Sequence, residues 1–263
     1  MSYQFISYTV KSSVAWIRLC MPEKMNALEE GLFIELSKAA AIAAQDEDVR
    51  CVVITGTGSA FCAGGDIDRF SLGFSLEEGV EYVRHFNPFC SEIVNMEKPV
   101  IAAVNGYALG AGFCLALLCD IIYASEDAKF GMAFRNVGLM PDFGGIYFLP
   151  RLIGLSKAKE LAFTGRNISA AEAEHMGIVS RVFSRDEFEE GIAESANSIA
   201  AGPVFAMKQT KLLMNQSLHM SLDELFNAEA YAQGMCFQNW ESSEGVRAFK
   251  EKRKPCFFWD ENK

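Results

Sequence analysis

Two segments in the first half of the chain share one design, in which a short apolar run of β-forming residues leads into a loop of glycine and other small residues. The segments are ITGTGSAFCAGGD at 54–66 and AAVNGYALGAGF at 102–113. Small residues let a ligand approach the backbone closely and leave N–H groups exposed. Each segment is therefore predicted to be a strand followed by a loop that can bind a ligand.

Strand-like and helix-like patterns alternate around these loops. Strands are predicted at 14–20, 51–56, 99–106 and 121–124, and helices at 27–45, about 76–96 and 109–120. From about residue 156 onward, the apolar spacing, serine caps and glycine stops are typical of helices. The alternation predicts an α/β fold.

No Gly/Ser/Pro-rich linker separates the helical second part from the first. We place a boundary near Gly202 and Pro203, which divides the chain into a core at 1–202 and a C-terminal helical region at 203–263. The later helices are predicted to form a second layer or an oligomer interface.

Composition limits the classes of function. Half of the 263 residues are apolar, enough for a substantial core, and the formal net charge is −10. This charge disfavours nucleic-acid binding, because phosphate backbones are held by clustered Lys and Arg. With no long uncharged apolar run and no leader pattern, we expect a soluble cytoplasmic protein that does not bind a membrane.

Cysteine and histidine spacing gives no sign of a metal site. The eight cysteines are scattered, mostly within apolar runs, and the three histidines lie far apart at 85, 175 and 219. We therefore expect reduced core thiols, no metal and no bound cofactor.

The glycine loops do not match the common nucleotide-binding motifs. A G-x-G-x-x-G fingerprint would require glycine at Phe61, and the chain has no G-x-x-x-x-G-K-[ST]. In the second loop, Gly110, Ala111 and Gly112 precede a predicted helix, and the free amides at a helix N-terminus favour an anion. Amides from the two loops would together form an oxyanion hole; tight turns are the alternative.

Two charged features have open interpretations. Asp142 is the only charged residue in GLMPDFGG at 138–145. It is either a turn residue or an acid in an apolar pocket, where burial would raise its pKa and make it a stronger base. The basic stretch VRAFKEKRK at 246–254 is either a solvated helix end or a small phosphate site.

The motifs MPEKMNAL, SAFCAGGDI, KPVIAAVNGYALGAG, CDIIYAS and GLMPDFGGIYFLPRLIG follow one another along the chain. In these motifs the chain resembles the crotonase (enoyl-CoA hydratase/isomerase) superfamily, from about residue 14 to the terminal FKEKRKPCF. The resemblance implies a crotonase-type spiral of ββα repeats with a C-terminal helical region that drives assembly of a homotrimer or a hexamer of two trimers. It also implies an acyl-CoA thioester substrate, so that coenzyme A is part of the substrate and not a cofactor.

The resemblance also implies roles for particular residues. The amides of Gly65 and Ala111 would hold the thioester oxygen as it becomes an enolate. Further residues would contact CoA, the last two from an adjacent subunit: Lys24, Ala27, Ala63, Asp66, Phe257 and Lys254.

The chain departs from the family's hydratases at both of their glutamate positions, which hold Cys114 and Phe134. Adding water across a C=C bond requires groups that position the water and move its protons, so hydration is disfavoured. The pattern around Asp142 resembles the Asp-bearing enoyl-CoA isomerases, including the phenylacetate-pathway epoxyphenylacetyl-CoA isomerases.

The resemblance predicts an isomerase in which Asp142 moves a proton from the α-carbon to the γ-carbon. A β,γ double bond would thereby become an α,β double bond, through a dienolate held in the oxyanion hole. Phe134, Met140 and Phe143 are expected to desolvate the carboxylate, with Phe134 and Phe143 also lining the substrate site.

Other functions stay open on the same scaffold. These are an enoyl-CoA hydratase, an acyl-CoA hydrolase or dehalogenase with Asp142 as nucleophile, and a non-catalytic acyl-CoA-binding protein. His85 is either a packing residue on a helix surface or a second proton carrier, and Cys114 is interpreted as a core thiol. Whether the acyl site takes a chain or a ring is also open.

Overall fold

A computed structural model describes residues 3–258. Its ten strands, in chain order, are β1 (Ile6–Lys11), β2 (Val14–Leu19), β3 (Cys51–Gly56), β4 (Ala60–Cys62), β5 (Val100–Val104), β6 (Tyr107–Leu109), β7 (Ile121–Ser125), β8 (Lys129–Gly131), β9 (Asn167–Ser169) and β10 (Arg181–Phe183).

Eleven α-helices lie between and after these strands within the same range. They are α1 (Glu30–Gln45), α2 (Ile67–Ser71), α3 (Leu76–Asn95), α4 (Ala111–Leu118), α5 (Gly145–Ile153), α6 (Leu155–Thr164), α7 (Ala170–His175), α8 (Phe188–Ala200), α9 (Val204–Ser217), α10 (Leu222–Gln238) and α11 (Trp240–Glu251). No helix in residues 3–258 is long and apolar enough to cross a membrane.

The strands form two sheets that the chain visits in turn. The larger sheet has the order β1-β2-β3-β5-β7-β10, and the smaller has the order β4-β6-β8-β9. After each of β3, β5 and β7 in the larger sheet, the next strand lies in the smaller sheet and a helix follows. This is a spiral of ββα turns, so the predicted fold class is confirmed.

The central strands are buried because they are covered on both faces. Every residue of β3 and β5 is buried, which explains why their sequences are continuous apolar runs without alternation. The residues of β2 through β7 in the larger sheet pair in parallel, as do β4, β6 and β8 in the smaller one. Parallel pairing places the carboxyl ends of neighbouring strands at one edge.

The predicted helix at 27–45 begins three residues later than expected, at Glu30. Met25 and Asn26 both have left-handed backbones, with φ of 52° and 55°. The chain then pairs briefly with the first glycine loop, since the Leu28 amide donates to the Gly64 carbonyl over 2.8 Å. This contact keeps residues 27–29 out of the helix.

All eight cysteines are free thiols in the structure. Cys51, Cys62, Cys114 and Cys119 are buried, as expected of core thiols, but Cys256 is exposed. The core interpretation is therefore wrong for Cys256, which follows the last helix and lies outside the packed layers.

Asn26 joins three parts of the chain from a fully buried position. Its Oδ1 accepts a hydrogen bond from the Met21 amide at 2.8 Å, and its Nδ2 donates to the carbonyls of Thr57 at 3.0 Å and Ala60 at 2.7 Å. The side chain thus connects the loop before α1 to both ends of the turn between β3 and β4.

We predict that Asn26→Ala lowers the free energy of unfolding by about 2–4 kcal/mol, because it leaves buried polar groups without partners and places alanine at a left-handed φ. Urea unfolding provides the measurement. The control is Asn87→Ala, an exposed position on α3, where a change within about 0.5 kcal/mol is expected. Equal losses in the two variants would contradict this account.

Candidate active site

Three loops meet at the carboxyl edge of the smaller sheet. β4 leads into residues 63–65, β6 leads into Gly110 and Ala111, and β8 leads into a 3-10 helix at Ala133–Val137 and then to Asp142. The register pairs Cys62 with Ala108 and Leu109 with Gly131, so that the three strands end level with one another. The topology therefore gathers the two predicted oxyanion loops and the predicted base.

The first two loops touch so closely that side chains would not fit between them. A Cβ atom added to Gly64 would lie 2.8 Å from the Leu109 carbonyl oxygen, and Gly64 has a φ of +105°. A Cβ atom added to Gly112 would lie 2.0 Å from the Cys62 carbonyl oxygen. Glycine at both positions is required for this approach.

The amides of Gly65 and Ala111 are available to a ligand. Ala111 is the first residue of α4, so its N–H has no acceptor within the helix. The Gly65 amide has no acceptor among the backbone hydrogen bonds of residues 3–258. Gly65 and Ala111 both line one cavity of about 180 Å³.

Asp142 lines the same cavity in an apolar setting. Burial raises the pKa of its carboxyl above the ordinary value of 3.8. Phe134 and Phe143, at 8% and 7% exposure, line the cavity beside it. Asp142 also closes a turn through its main chain, because its carbonyl accepts from the Gly145 amide at 2.8 Å. Both sequence interpretations of this residue therefore hold, one for its backbone and one for its environment.

Met140 does not contribute to this burial as expected. It is 67% exposed and does not line the cavity, so this prediction is wrong. The 3-10 helix turns the chain after Phe134, and the segment 135–140 lies on the surface. An aromatic cluster takes the place of Met140, with ring centroids 5.7 Å apart for Phe86 and Phe143 and 6.4 Å apart for Phe33 and Phe143.

Phe143 has an unusual backbone next to the acid. Its φ is 50°, in the left-handed region that is uncommon for a bulky residue. Such a conformation costs about 1–3 kcal/mol and persists where the surrounding structure holds it. The packed rings of Phe33, Phe86 and Phe89 supply that support.

Cys114 is a packing residue, as predicted. Its side chain is fully buried, and burial raises the pKa of its thiol well above the ordinary range, so the thiol is neutral. A Cβ atom added to Gly145 would lie 2.5 Å from the Cys114 Sγ. The thiol thus fills the space between α4 and the start of α5 and does not line the cavity.

Four of the residues predicted to contact CoA lie in two adjacent loops: Lys24, Ala27, Ala63 and Asp66. Ala63 lines the cavity, and its amide donates to the Met25 carbonyl at 2.9 Å. Lys24 is half-exposed and forms an ion pair with Glu29, while the Asp66 side chain caps α2 by accepting from the Asp68 amide. Ala27 follows in the same loop, where its amide donates to the Lys24 carbonyl. This loop and the first glycine loop form one surface.

Phe257 lies at the opposite end of the larger sheet. Its carbonyl accepts from Arg50, the residue before β3, over 3.0 Å. The six residues of β3 span about 20 Å, and the glycine loop follows the far end of that strand. Phe257 therefore does not reach the cavity of its own chain, and contact with CoA stays a prediction that requires a neighbouring subunit.

The basic stretch at 246–254 is partly occupied by an internal ion-pair network. Arg247 and Arg253 both pair with Glu244, whose side chain is buried, and the Cys256 amide donates to the same carboxylate at 2.9 Å. These bonds lower the pKa of Glu244 far below its ordinary value. Glu244, on α11, thus holds Arg253 and Cys256 of the C-terminal segment against that helix.

His85 is a surface residue of α3. It is exposed and packs against Phe33 and Phe86, with centroids 5.5 and 5.6 Å away, and it does not line the cavity. The packing interpretation is supported. Within residues 3–258, no group of three or more His, Cys, Asp or Glu side chains is placed to hold a metal ion.

Sequence reasoning did not find three of the five aromatic residues that line the cavity, Phe70, Tyr82 and Phe86, on α2 and α3. The only signal was an aromatic-rich stretch in a helical pattern, and such a pattern does not tell which face meets the glycine loops.

Comparisons with known proteins identify the family and agree with the fold. The family model for enoyl-CoA hydratase/isomerase matches residues 9–260. The chain belongs to the enoyl-CoA hydratase/isomerase family. A solved enoyl-CoA hydratase structure from Geobacillus kaustophilus HTA426 is 36% identical, superposes with a TM-score of 0.92, and covers 97% of this chain and 98% of its own.

Relatives at similar identity have different activities in their names. The 1,2-epoxyphenylacetyl-CoA isomerase of Escherichia coli K12 is 34% identical over 97% of this chain and 98% of its own length. A probable enoyl-CoA hydratase of Rhodobacter capsulatus is 38% identical over 98% and 99%, respectively. The family therefore identifies an acyl-CoA enzyme without choosing between isomerase and hydratase.

Burial of Asp142 is expected to make the stability of the folded protein depend on pH. Because its folded-state pKa is raised, a destabilising contribution develops as pH rises from 3.8 to the folded-state pKa and is complete above it. Asp142→Asn removes this contribution. Its Tm should exceed that of the wild type by more at about pH 7.5 than at about pH 4.

Scanning calorimetry at both pH values provides the measurement. The control is Asp127→Asn, at an exposed surface ion pair with Arg185, where no such rise with pH is expected. A Tm difference for Asp142→Asn that is equal at both pH values, or smaller at the higher one, would show that the carboxylate is not desolvated.

Proposed function

We propose that this enzyme is an enoyl-CoA isomerase that converts a β,γ-unsaturated acyl-CoA thioester to its α,β-unsaturated isomer. The observation that carries the proposal is one cavity lined by a half-buried acid, Asp142, together with Gly65 and Ala111, whose amides have no backbone acceptor among the described residues. Within the lining residues no second carboxylate is present.

In this mechanism, the thioester oxygen accepts hydrogen bonds from the Gly65 and Ala111 amides. These donors act on charge that develops as the α-proton leaves, and each such donor is typically worth about 10² to 10³ in rate. The positive N-terminal end of α4 adds to the stabilisation of the dienolate.

Asp142 performs both proton transfers. Its carboxylate removes a proton from the α-carbon, and the C–H electrons and the β,γ double bond become a dienolate. The protonated carboxyl then gives the proton to the γ-carbon, which restores the carboxylate and leaves the α,β double bond. The raised pKa of Asp142 strengthens it as a base, and its neutral form is a competent acid.

Hydration is the second candidate, because the relatives from Rhodobacter capsulatus and Geobacillus kaustophilus have hydratase names. A hydratase must position water as well as move a proton. Here the two positions implied by the resemblance hold a buried thiol, Cys114, and a ring, Phe134. Neither side chain acts as a base, which favours isomerisation.

The remaining proposals concern the setting of the reaction. Coenzyme A arrives as part of the substrate, and the chemistry needs no separate cofactor. Assembly into a trimer or hexamer is supported by large apolar side chains left exposed on α10 and α11: Phe226, Tyr231, Phe237 and Phe249. The proposed location of the enzyme is the cytoplasm.

The test is the absorbance of the conjugated thioester formed from 3-hexenoyl-CoA. Asp142→Asn should lower kcat/KM by about 10²- to 10⁴-fold, because it removes the only carboxylate among the residues that line the cavity. In the wild type, kcat/KM should fall as pH decreases through the raised pKa of Asp142.

Asp127→Asn, on the surface, is the matched control and should retain wild-type turnover. An Asp142→Asn enzyme that is folded and fully active would end the proposal. Accumulation of 3-hydroxyhexanoyl-CoA from 2-hexenoyl-CoA as the main activity would favour the hydratase instead.

A further inference from the structure

Tyr82 is a fixed part of the cavity wall. It is half-buried on α3 and lines the cavity that contains Asp142. Its ring packs edge-on against Phe86 and Phe70, with centroids 5.1 and 6.0 Å away, and Phe74 covers it at 5.1 Å. Contacts on several sides hold the ring in one orientation.

The Tyr82 hydroxyl is the one polar group among the packed rings on this side of the cavity. The neighbouring rings are all phenylalanine, and a phenylalanine at 82 would make the same ring contacts. Among the residues that line the cavity, Tyr82 is the only one with a hydroxyl group. Within residues 3–258 this hydroxyl forms no hydrogen bond to another residue. It is therefore available to a ligand.

The charges around the phenol define the partner it fits. Burial and the carboxylates of Asp66 and Asp142, with a smaller effect of Glu30, raise the pKa of Tyr82, while Arg69 opposes them. The phenol therefore stays protonated at neutral pH and donates a hydrogen bond. Nearby carboxylates repel an anionic acceptor, so the fitting acceptor is a neutral oxygen: a hydroxyl, an ether or a carbonyl.

We propose that Tyr82 is a specificity-determining residue that donates a hydrogen bond to a neutral oxygen on the acyl group. The preferred substrates are then acyl-CoA thioesters that carry an oxygen beyond the reacting carbons. This inference rests on the isomerase function proposed above. A site built to hydrogen-bond a substrate group discriminates against an analogue that lacks it, because the donor is then left without a partner.

The experiment compares 3-hexenoyl-CoA with its 5-hydroxy and 6-hydroxy derivatives. The wild type should prefer at least one hydroxylated substrate by about 10-fold or more in kcat/KM. In Tyr82→Phe, the ratio of kcat/KM values between that substrate and 3-hexenoyl-CoA should fall by about 10- to 100-fold. A merely structural role would lower both values together and leave the ratio unchanged.

The matched control is Tyr107→Phe, which removes the hydroxyl of an exposed tyrosine outside the cavity and should keep the wild-type ratio. A wild type without preference, or a Tyr82→Phe variant with the wild-type ratio, would overturn the inference. If Tyr82→Phe does not fold, the ratio of kcat/KM values in the wild type is the remaining test, and a ratio near one overturns the inference.

Failure of the isomerase proposal is distinguishable from failure of this one. If the wild type isomerises none of the three substrates, the proposed function fails. Tyr82 is then tested by calorimetric binding of hexanoyl-CoA and its 5-hydroxy and 6-hydroxy derivatives. Tighter binding of a hydroxylated ligand that is lost in Tyr82→Phe supports the inference, and equal Kd values overturn it.

Discussion

Parallel pairing of β4, β6 and β8 is the constraint on which the site depends. It brings three loops that are distant in the sequence to one edge of a small sheet. Two of the loops then approach until Gly64 meets the Leu109 carbonyl and Gly112 meets the Cys62 carbonyl. This contact sets the spacing of the Gly65 and Ala111 amides. An added methyl group at either glycine would push apart the loops that carry them.

The second constraint is an acid that the fold buries at a cost. Asp142 lies in an apolar cavity, and the residue after it, Phe143, has a left-handed backbone. Both features oppose folding, and both are held by a cluster of aromatic rings between α1, α3 and the segment before α5. The same burial that destabilises the carboxylate raises its pKa and makes it a stronger base. Burial of Asp142 thus lowers the stability of the folded protein and raises the basicity of the carboxylate.

The sequence predicted the four central strands of the larger sheet, β2, β3, β5 and β7, and the clearest signals came from β3 and β5, which are fully buried and therefore continuous apolar runs. It missed the two edge strands, β1 and β10. It did not predict β4, β6 and β8 as strands, since three residues are too few to show a period. The glycine loops were found from composition alone. Tyr82 and the exposure of Met140 were not predictable, because both depend on how α3 and the 3-10 helix pack in three dimensions.

The central claim is that Asp142 removes an α-proton while the Gly65 and Ala111 amides hold the enolate oxygen. Hexanoyl-CoA tests this step alone, because it has α-protons and no double bond to move. In D₂O, the wild type should exchange these protons for deuterium, as followed by NMR, and Asp142→Asn should slow the exchange by about 10²-fold or more. Exchange at the wild-type rate in the Asn variant, or an active wild type that exchanges no α-protons, would contradict the account.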